Sequence, residues 1–362
     1  MTRILHVAQP VDGGVGRYVA DLARWQAAAG LAVAVASPAG PLATEAGDAW
    51  IRWDAVRAPG PSAAGETRRL AAVVRQFGPD VVHLHSSKAG LDGRLLLRGR
   101  RPTVFQPHGW SWQAGGGAVG AASVAWERLA TRWTDVTVCV SADERRAGEQ
   151  RGVRGRTEVV PNGVDLARFQ PVSAGERVEL RRSLGLEPDA PVAVCVGRID
   201  AQKGQDVLVR AWALVRKTCP DAVLLLVGDG PGRAGLGQPD GVRLLGEQPD
   251  APRFYALADV VAFASQWGEA MALTPLEGMA CGRPVVATDV AGIRESVADG
   301  CGAIVPPGDV DALASALLAR LQDGAVADAE GQRARAHVEA SHDLEATHSR
   351  ISELALGLVS RR

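Results

Sequence analysis

The 362-residue chain is short of several residue types, and each shortage narrows what the protein can be. Aromatic residues make up 4% of it, and its five cysteines include no Cys-x-x-Cys pair. Widely spaced cysteines without a pairing motif indicate reduced thiols rather than a disulfide framework or a zinc site. No apolar run reaches the roughly 18 residues that a membrane-spanning helix needs. A net charge of −1 gives the chain no general attraction for nucleic acid.

The N-terminal sequence MTRILHVAQP reads as a strand and lacks the three regions of a secretory signal. We therefore expect a cytoplasmic protein, with peripheral contact at the inner face of a membrane left open. A basic cluster at Arg94, Arg98, Arg100 and Arg101 could serve such contact. A run of this kind is more often a solvated helix end.

Short apolar runs alternate with helix-length amphipathic segments, a pattern typical of α/β proteins. The runs are apolar on both faces, as in parallel strands covered by helices on each side. Because the chain is longer than one typical core requires, we expect two doubly wound domains. Small-residue patches at 58–65 and 114–122 are expected to be mobile loops. The strand candidates are residues 4–8, 32–36, 81–84, 103–106, 136–140 and 158–161 in the first half, and 192–197, 222–228, 242–245, 260–264, 285–287 and 302–305 in the second.

Residues 265–289 carry the strongest functional pattern, in which seven residues separate Glu269 from Glu277. We predict a helix over about 271–280, with Pro275 tolerated in its first turn. The free amides of Met271, Ala272, Leu273 and Thr274 would open that turn, and such amides favour an anion such as a diphosphate. Glu277 could then accept hydrogen bonds from the vicinal hydroxyls of a ribose. The segment therefore predicts a nucleotide-sugar site.

Two further loops follow predicted strands. The first contains Gly13, Gly14 and Gly16, where glycine lets backbone amides approach a ligand closely. The second contains Arg198 and Lys203, whose fixed charges can stabilise the negative charge that develops on a departing diphosphate. An Asp-x-Asp pattern at 309–311 is better explained as a helix cap than as a metal site. His83 and His85 share one face of a strand, and we interpret them as packing residues because no third metal ligand is apparent.

The segment from Glu269 to Glu277 resembles the signature E-G-F-G-L-x-x-x-E of retaining glycosyltransferases of family 4, with alanine at both glycine positions. The family's G-R-x-x-x-x-K-G element is matched at 197–204, its His-Gly at His108, its P-N-G-V-D turn at 161–165 and its G-x-G-P turn at Gly228. We favour a hinge role for the 161–165 turn, with a place for Asn162 near the cleft between the domains as the lesser alternative. The resemblance implies the GT-B fold, two Rossmann-like domains facing across a cleft. We place the domains at 1–168 and 169–342, with a C-terminal helix in 343–362 crossing back to the first.

The resemblance also implies roles for individual residues. His108, Glu269, Arg198 and Lys203 would be catalytic. Apart from the resemblance, we expect the acceptor side to include Ser111, Trp110, Trp112 and the loop 115–117. The donor would be bound by Gly13, Gly14, Gly16, Arg198, Lys203, Gly228, Ala272, Leu273, Thr274 and Glu277.

These expectations together describe a retaining, metal-independent enzyme that moves a sugar from a UDP-sugar to an acceptor hydroxyl, without a cofactor. The acceptor could belong to a polysaccharide precursor or to a natural product. The alternatives are a UDP-sugar 2-epimerase of the same fold, a GDP-mannose-dependent transferase, and a non-catalytic nucleotide-sugar binder. An epimerase needs paired acid and base carboxylates, and no convincing pair is evident in the sequence.

Overall fold

A computed structural model describes residues 1–58, 60–114 and 116–361 of the chain. It divides into two compact units, Met1–Pro161 together with Ala346–Arg362, and Asn162–Glu345. The first division therefore follows Pro161, seven residues before the boundary predicted after residue 168. The second follows Glu345, slightly beyond the predicted residue 342.

The first unit contains a seven-stranded sheet in the order β3-β2-β1-β4-β5-β6-β7. Every pair of neighbouring strands is parallel, and β1 lies between β2 and β4. The chain thus winds outward from β1 in both directions, and the loops after β1 and β4 flank the switch point. The strands are β1 (Arg3–Ala8), β2 (Ala32–Ser37), β3 (Trp50–Arg52), β4 (Val81–His85), β5 (Thr103–Gln106), β6 (Val136–Cys139) and β7 (Thr157–Val159).

Helices cover both faces of this sheet and enclose an apolar core on each side. One core includes Ile4, Tyr18 and Leu22, and Ile351 and Leu358 from the C-terminal helix complete it. That helix joins the first unit because its apolar face fills this core. The helices preceding the second unit are α1 (Gly13–Ala28), α2 (Pro41–Ala46), α3 (Ala63–Phe77), α4 (Ser86–Leu97), α5 (Ser111–Ala114), α6 (Gly117–Ala130) and α7 (Ala142–Gln150).

The second unit contains a six-stranded sheet in the order β10-β9-β8-β11-β12-β13. These neighbours are again parallel, and β8 lies between β9 and β11. The strands are β8 (Val192–Val196), β9 (Val223–Val227), β10 (Val242–Gly246), β11 (Val260–Phe263), β12 (Val285–Thr288) and β13 (Gly302–Val305). The remaining helices are α8 (Ala174–Ser183), α9 (Gln205–Thr218), α10 (Ala251–Leu257), α11 (Leu273–Ala280), α12 (Ile293–Ser296), α13 (Val310–Leu321), α14 (Gly324–Ser341) and α15 (Leu344–Val359).

All twelve predicted strand segments are strands in the structure, to within one or two residues at their ends. Strand β3 was missed because it has only three residues, at the edge of the sheet, and its Trp50 and Ile51 are only partly buried. The expected loops were partly wrong, since Ala63 begins α3 and Gly117 begins α6. No helix in the described part of the chain combines the length and apolarity needed to cross a bilayer.

Candidate functional site

The switch point of the second sheet brings two predicted loops together. Strands β8 and β11 are parallel neighbours, so the loop after β8 (197–204) and the loop after β11 (264–272) leave the same edge. Ligands of doubly wound sheets bind at the carboxyl ends of strands beside such a switch point. The sequence places Arg198 and Lys203 in one loop and Glu269 in the other.

Lys203 and Glu269 form the closest contact between these loops. The Lys203 Nζ atom lies 2.6 Å from Glu269 Oε1, which also accepts a hydrogen bond from the Ser265 hydroxyl at 2.8 Å. The Lys203 side chain is 26% exposed, whereas that of Glu269 is 10% exposed. The carboxylate therefore holds the ammonium group at the surface, where a bound anion could reach it.

Arg198 begins the same loop and remains about half exposed while its Nε donates to Asp200 at 2.6 Å. The Gln205 side chain donates to the Arg198 carbonyl at 2.9 Å, which fixes the backbone of the loop. Gly228 packs against the start of this loop. A Cβ at Gly228 would lie 2.0 Å from the Gly197 carbonyl oxygen, so this position has no room for a side chain. The structure thus gives Gly228 a steric role in joining the two strand ends, and its donor contact stays a prediction.

Helix α11 begins at Leu273, two residues later than predicted, with Ala272 as its N-cap residue. No side chain of the described residues caps this terminus. The Thr274 hydroxyl donates to the Val196 carbonyl at 3.2 Å, which attaches the first turn of the helix to the end of β8. The amides of Ala272, Leu273 and Thr274 therefore lie at the start of a helix beside the Arg198–Lys203 loop, as an anion site requires.

Glu277 lies deeper, with 4% of its surface exposed. The Tyr255 hydroxyl donates to Glu277 Oε2 at 2.6 Å, and this tyrosine comes from α10. A buried carboxylate held in one orientation is suited to accept hydrogen bonds from a diol. Tyr255 was not among the predicted site residues. Because the chain has only two tyrosines, their rarity was the signal that could have found it.

Two other residues of the second unit support the loop that contains Glu269. The Asn162 side chain donates to the Met271 carbonyl at 2.8 Å. Asn162 thus contacts the backbone that leads into α11, and both the hinge role of its turn and its place near the cleft stay predictions. A Cβ at Gly292 would lie 1.8 Å from the Ala270 carbonyl oxygen, so only glycine lets the chain pass there.

In the first unit, His108 lies in a tight turn after β5. Its φ of +53° is unusual for a residue other than glycine, and Gly109 follows with φ of +102°. Glu144 at the start of α7 stabilises this turn, since Oε1 accepts from the Gly109 amide at 2.5 Å and Oε2 from the Val140 amide at 2.8 Å. Burial raises the pKa of Glu144 to about 7, against the lowering effect of those two hydrogen bonds.

The His108 ring is partly buried among other rings. Tyr18, the second of the two tyrosines, packs edge-on against it with centroids 4.9 Å apart. His108 Nε2 lies 3.1 Å from Nδ1 of His85, the last residue of β4. Desolvation lowers the pKa of His108 to about 3, so the ring is neutral near pH 7.

The predicted acceptor-side residues differ in exposure. Trp110 is 3% exposed and its indole donates to the Glu144 carbonyl at 2.7 Å, so it belongs to the core of the first unit. Trp112 stacks on Trp110 with centroids 4.6 Å apart, and both Trp112 and Ser111 are partly exposed. Gly115, in the predicted loop 115–117, lies outside the described residues.

The three glycines of the turn after β1 also differ in exposure. Gly13 and Gly14 are exposed at the start of α1, where no side chain of the described residues caps the helix. Gly16 is buried, and a Cβ there would lie 2.5 Å from the Val11 carbonyl oxygen. Gly16 therefore packs the turn, whereas Gly13 and Gly14 leave backbone open at its surface.

The basic cluster of the first unit is not a uniform solvated helix end. Arg94 is buried and pairs with the equally buried Glu127, with an NH1–Oε2 distance of 2.7 Å. The residues that remain exposed are Arg98 and Arg100.

Comparison with known proteins agrees with this architecture. Residues 12–168 match the model of Glycosyltransferase Family 4, and residues 190–323 match that of Glycosyl transferases group 1. Sucrose-phosphate synthase from Thermosynechococcus elongatus superposes with a TM-score of 0.85 and 25% identity over all of both chains. The two Rossmann-like parallel sheets match the fold of GT-B glycosyltransferase structures.

Three curated relatives are similar in sequence. A GDP-mannose-dependent monoacylated alpha-(1-6)-phosphatidylinositol monomannoside mannosyltransferase of Corynebacterium glutamicum is 29% identical over 84% of this chain and 83% of its own. A GDP-mannose-dependent alpha-(1-6)-phosphatidylinositol monomannoside mannosyltransferase of Mycolicibacterium smegmatis is 32% identical over 73% of each chain. The D-inositol 3-phosphate glycosyltransferase of Nocardia farcinica is 34% identical over 71% of this chain but only 62% of its own. The chain belongs to the GT-B glycosyltransferase family, and it is an enzyme that binds a nucleotide-sugar donor and a hydroxyl acceptor.

Proposed function

We propose that the protein is a retaining, metal-independent glycosyltransferase whose donor diphosphate is bound by the second unit. The observation that carries this proposal is the Lys203–Glu269 contact of 2.6 Å, formed between two loops at the switch point and next to the first turn of α11. An ammonium group, an exposed guanidinium and uncapped amides suit a diphosphate. A buried carboxylate beside them suits the hydroxyls of the attached sugar or ribose.

Transfer breaks the bond between the anomeric carbon and the diphosphate and forms a bond to the acceptor oxygen. In the mechanism we propose, the acceptor proton passes to an oxygen of the departing phosphate, so no protein carboxylate need become a covalent nucleophile. Arg198 and Lys203 stabilise the charge that develops on the leaving group. Removal of one such group typically slows an enzyme by about 10²–10³-fold.

We propose that the donor is GDP-mannose rather than a UDP-sugar. Of the three relatives described above, the two that align over more than two thirds of their own length are both named as GDP-mannose-dependent. The UDP-sugar expected from the sequence stands as the alternative. For the acceptor we propose a polyol that carries a phosphodiester or phosphate, because the names of all three relatives contain a phosphorylated inositol. A lipid acceptor of that class would bring the enzyme to a membrane surface.

The experiment is a donor screen on the purified protein. Thermal unfolding is recorded with GDP, UDP, GDP-mannose and UDP-sugars, since a ligand of the folded state raises the apparent stability by mass action. Turnover is then measured with the stabilising donor and a phosphoinositol acceptor, and the anomeric configuration of the product is read by NMR. We expect stabilisation by GDP-mannose and a product with the donor's configuration. An inverted product would contradict retention, and stabilisation by UDP-sugars alone would restore the UDP assignment.

Matched variants test the diphosphate site. Lys203→Ala should lower kcat/KM by about 10²-fold or more, and Arg198→Ala similarly. Lys217→Ala and Arg210→Ala remove the same charges from exposed positions of α9, outside the proposed site, and should leave kcat/KM unchanged. Equal losses in the site variants and their controls would contradict the assignment. Exchange of the sugar C2 proton with solvent in the absence of acceptor would instead indicate an epimerase.

A further inference from the structure

A chain of hydrogen bonds runs through the first unit behind His108. His108 Nε2 lies 3.1 Å from His85 Nδ1, and His85 Nε2 lies 3.0 Å from His6 Nδ1. His6 Nε2 lies 2.8 Å from Gln26 Oε1, and the Gln26 amide nitrogen donates to the Ser352 hydroxyl at 3.0 Å. Apart from His108, every member of this chain is buried. His108 is therefore connected, through three side chains, to the C-terminal helix α15.

A metal site is the first alternative for such a cluster, because one nitrogen from each of His6, His83 and His85 lies within 4.8 Å of the others. Both ring nitrogens of His85 are already within hydrogen-bond distance of other imidazoles. Both nitrogens of His6 are also engaged, one by His85 and one by Gln26. A metal would need a free lone pair from each residue, so the geometry fits a hydrogen-bonded chain better than a ligand set.

Each imidazole of the chain is neutral, because burial lowers the pKa of His6 to about 4 and that of His85 well below 6.5. A neutral imidazole has one N–H and one bare nitrogen, so the direction of one hydrogen bond fixes the direction of the next. The Gln26 carbonyl oxygen faces His6 and can only accept, so His6 carries its proton on Nε2. His6 Nδ1 is then bare and must accept from His85 Nε2. His85 Nδ1 is bare in turn and must accept from His108.

We infer that His108 is held in the tautomer with its proton on Nε2 and with a bare Nδ1, and that His85, His6 and Gln26 are the residues that impose this tautomer. Nδ1 of His108 has no hydrogen-bond partner among the described residues, and the ring is partly exposed. His108 can therefore accept a hydrogen bond from a hydroxyl but cannot donate one. Its role toward a sugar hydroxyl rests on the proposed function, whereas the tautomer itself does not.

The tautomer is tested by long-range ¹H–¹⁵N correlation spectra of protein labelled with ¹⁵N-histidine. The His108→Gln variant assigns the His108 signals by their loss. We expect a protonated, pyrrole-type Nε2 and a bare, pyridine-type Nδ1 on His108. A proton on Nδ1, or averaged shifts from two exchanging tautomers, would overturn the inference. The tautomer is read on the wild-type protein, and the variant serves only to assign the signals.

Two variants of β4 separate positioning from packing. His85→Leu removes the partner of His108 Nε2, whereas His83→Leu removes a neighbouring buried ring, 4.0 Å from His85, that makes no hydrogen bond in the chain. We expect His85→Leu to produce averaged His108 shifts and to lower kcat on the order of tenfold or more, with KM for the donor nearly unchanged. His83→Leu should retain the His108 shifts and kcat.

A third variant tests the direction of the chain. Gln26→Leu removes the acceptor of the His6 Nε2 proton and should give averaged His108 shifts. If kcat in His85→Leu stays within twofold of the wild type, the positioning role is wrong. A wild-type protein that turns over no donor would contradict the proposed function alone, because its spectrum still decides the tautomer.

Discussion

At the scale of single residues, the two glutamates of the Glu269–Glu277 pattern differ in their surroundings. Glu269 lies in a loop and pairs with Lys203, while Glu277 lies inside α11 and accepts from Tyr255. The loop carboxylate is suited to contact the sugar that is transferred. The helix carboxylate is suited to bind hydroxyls of the nucleotide, which do not react. The same type of residue therefore has two different roles here.

We predict that Glu277→Ala weakens nucleotide binding about tenfold or more, because it removes charge-assisted hydrogen bonds to hydroxyls, each worth about 1.5–3 kcal/mol. Glu269→Ala should instead mainly lower kcat. Isothermal titration with GDP and UDP measures the nucleotide affinity, and steady-state kinetics measures kcat, so the two measurements separate these effects. Tyr255→Phe, which removes only the hydroxyl held by Glu277, should fall between the wild type and Glu277→Ala in affinity. Unchanged nucleotide affinity in Glu277→Ala would refute its assignment.

The buried histidines of the first unit also make its stability depend on pH. Desolvation lowers the folded-state pKa of His6 to about 4 and of His108 to about 3, and that of His83 well below 6.5. As pH falls, histidines with a lowered folded-state pKa bind their protons in the unfolded state at a higher pH than in the folded state. Their contribution is therefore complete above pH 6.5 and is lost as pH falls toward 4.

With His85, four histidines follow this pattern, so the free energy of unfolding should fall by up to about 5 kcal/mol per pH unit once all four bind protons only in the unfolded state. Urea unfolding of the first unit, followed at several pH values between 7 and 4.5, measures this slope. His83→Leu should reduce it by about 1.4 kcal/mol per pH unit, the contribution of one proton. An unchanged slope in that variant would show that His83 is protonated in the folded state as well.

At the scale of elements, strands were easier to predict than the contacts of the site. A parallel strand covered on both faces is apolar throughout, and that local property is visible in runs such as 192–196. The start of α11 was predicted two residues early, since local sequence does not settle which residue takes the extended conformation of an N-cap. His6 lies 79 residues from His85 and Tyr255 lies 22 residues from Glu277, so the first contact depends on strand order and the second on helix packing, rather than on motif spacing.

The helix α7 shows how an element far along the chain fixes a site residue. Glu144 of α7 accepts hydrogen bonds from two backbone amides, that of Gly109 after β5 and that of Val140 after β6. Because the folded-state pKa of Glu144 is raised from 4.5 to about 7, its stabilising contribution is complete below pH 4.5 and is lost as pH rises through 7.

A Glu144→Gln variant does not titrate at this position. We predict that its stability relative to the wild type improves as pH rises from 4.5 to 8, by up to about 3 kcal/mol. Urea unfolding of both proteins at pH 5 and 8 measures the change, and contributions from the histidines cancel in the difference. A stability difference that is constant between these pH values would mean that the carboxylate titrates normally in the fold.

At the scale of the whole molecule, the two units hold different parts of the proposed chemistry. Arg198, Lys203 and Glu269 belong to the second unit, whereas His108 belongs to the first. Among the described residues, the group whose possible ligand atoms lie within 4.8 Å of one another is His6, His83 and His85 of the first unit, and the hydrogen bonds of His6 and His85 fit a chain of imidazoles better than a ligand set.

Because two cations of the second unit are proposed to stabilise the departing diphosphate, we predict that transfer survives EDTA. Initial rates before and after chelation, with Mg²⁺ or Mn²⁺ added back, provide the measurement. Loss of activity with EDTA and its recovery with either ion would contradict a metal-independent mechanism.

The C-terminal segment completes a core of the first unit. From Ala346 the chain belongs to that unit, and Ile351, Leu354, Ala355 and Leu358 are buried in the same core as Ile4. Burial of one large aliphatic side chain is worth about 1.5–3 kcal/mol, so removal of three of them with Ala355 costs about as much as a domain's whole stability. We therefore predict that truncation after Glu345 unfolds the first unit and leaves the second, with its own sheet and core, folded.

Hydrogen exchange followed by mass spectrometry should show lost protection in β1 and β4 and native protection in β8 and β11. Truncation after Val359, which removes residues 360–362 including the exposed Ser360 and Arg361, is the matched control and should leave both units protected. Native protection of β1 in the longer truncation would show that the first unit folds without α15.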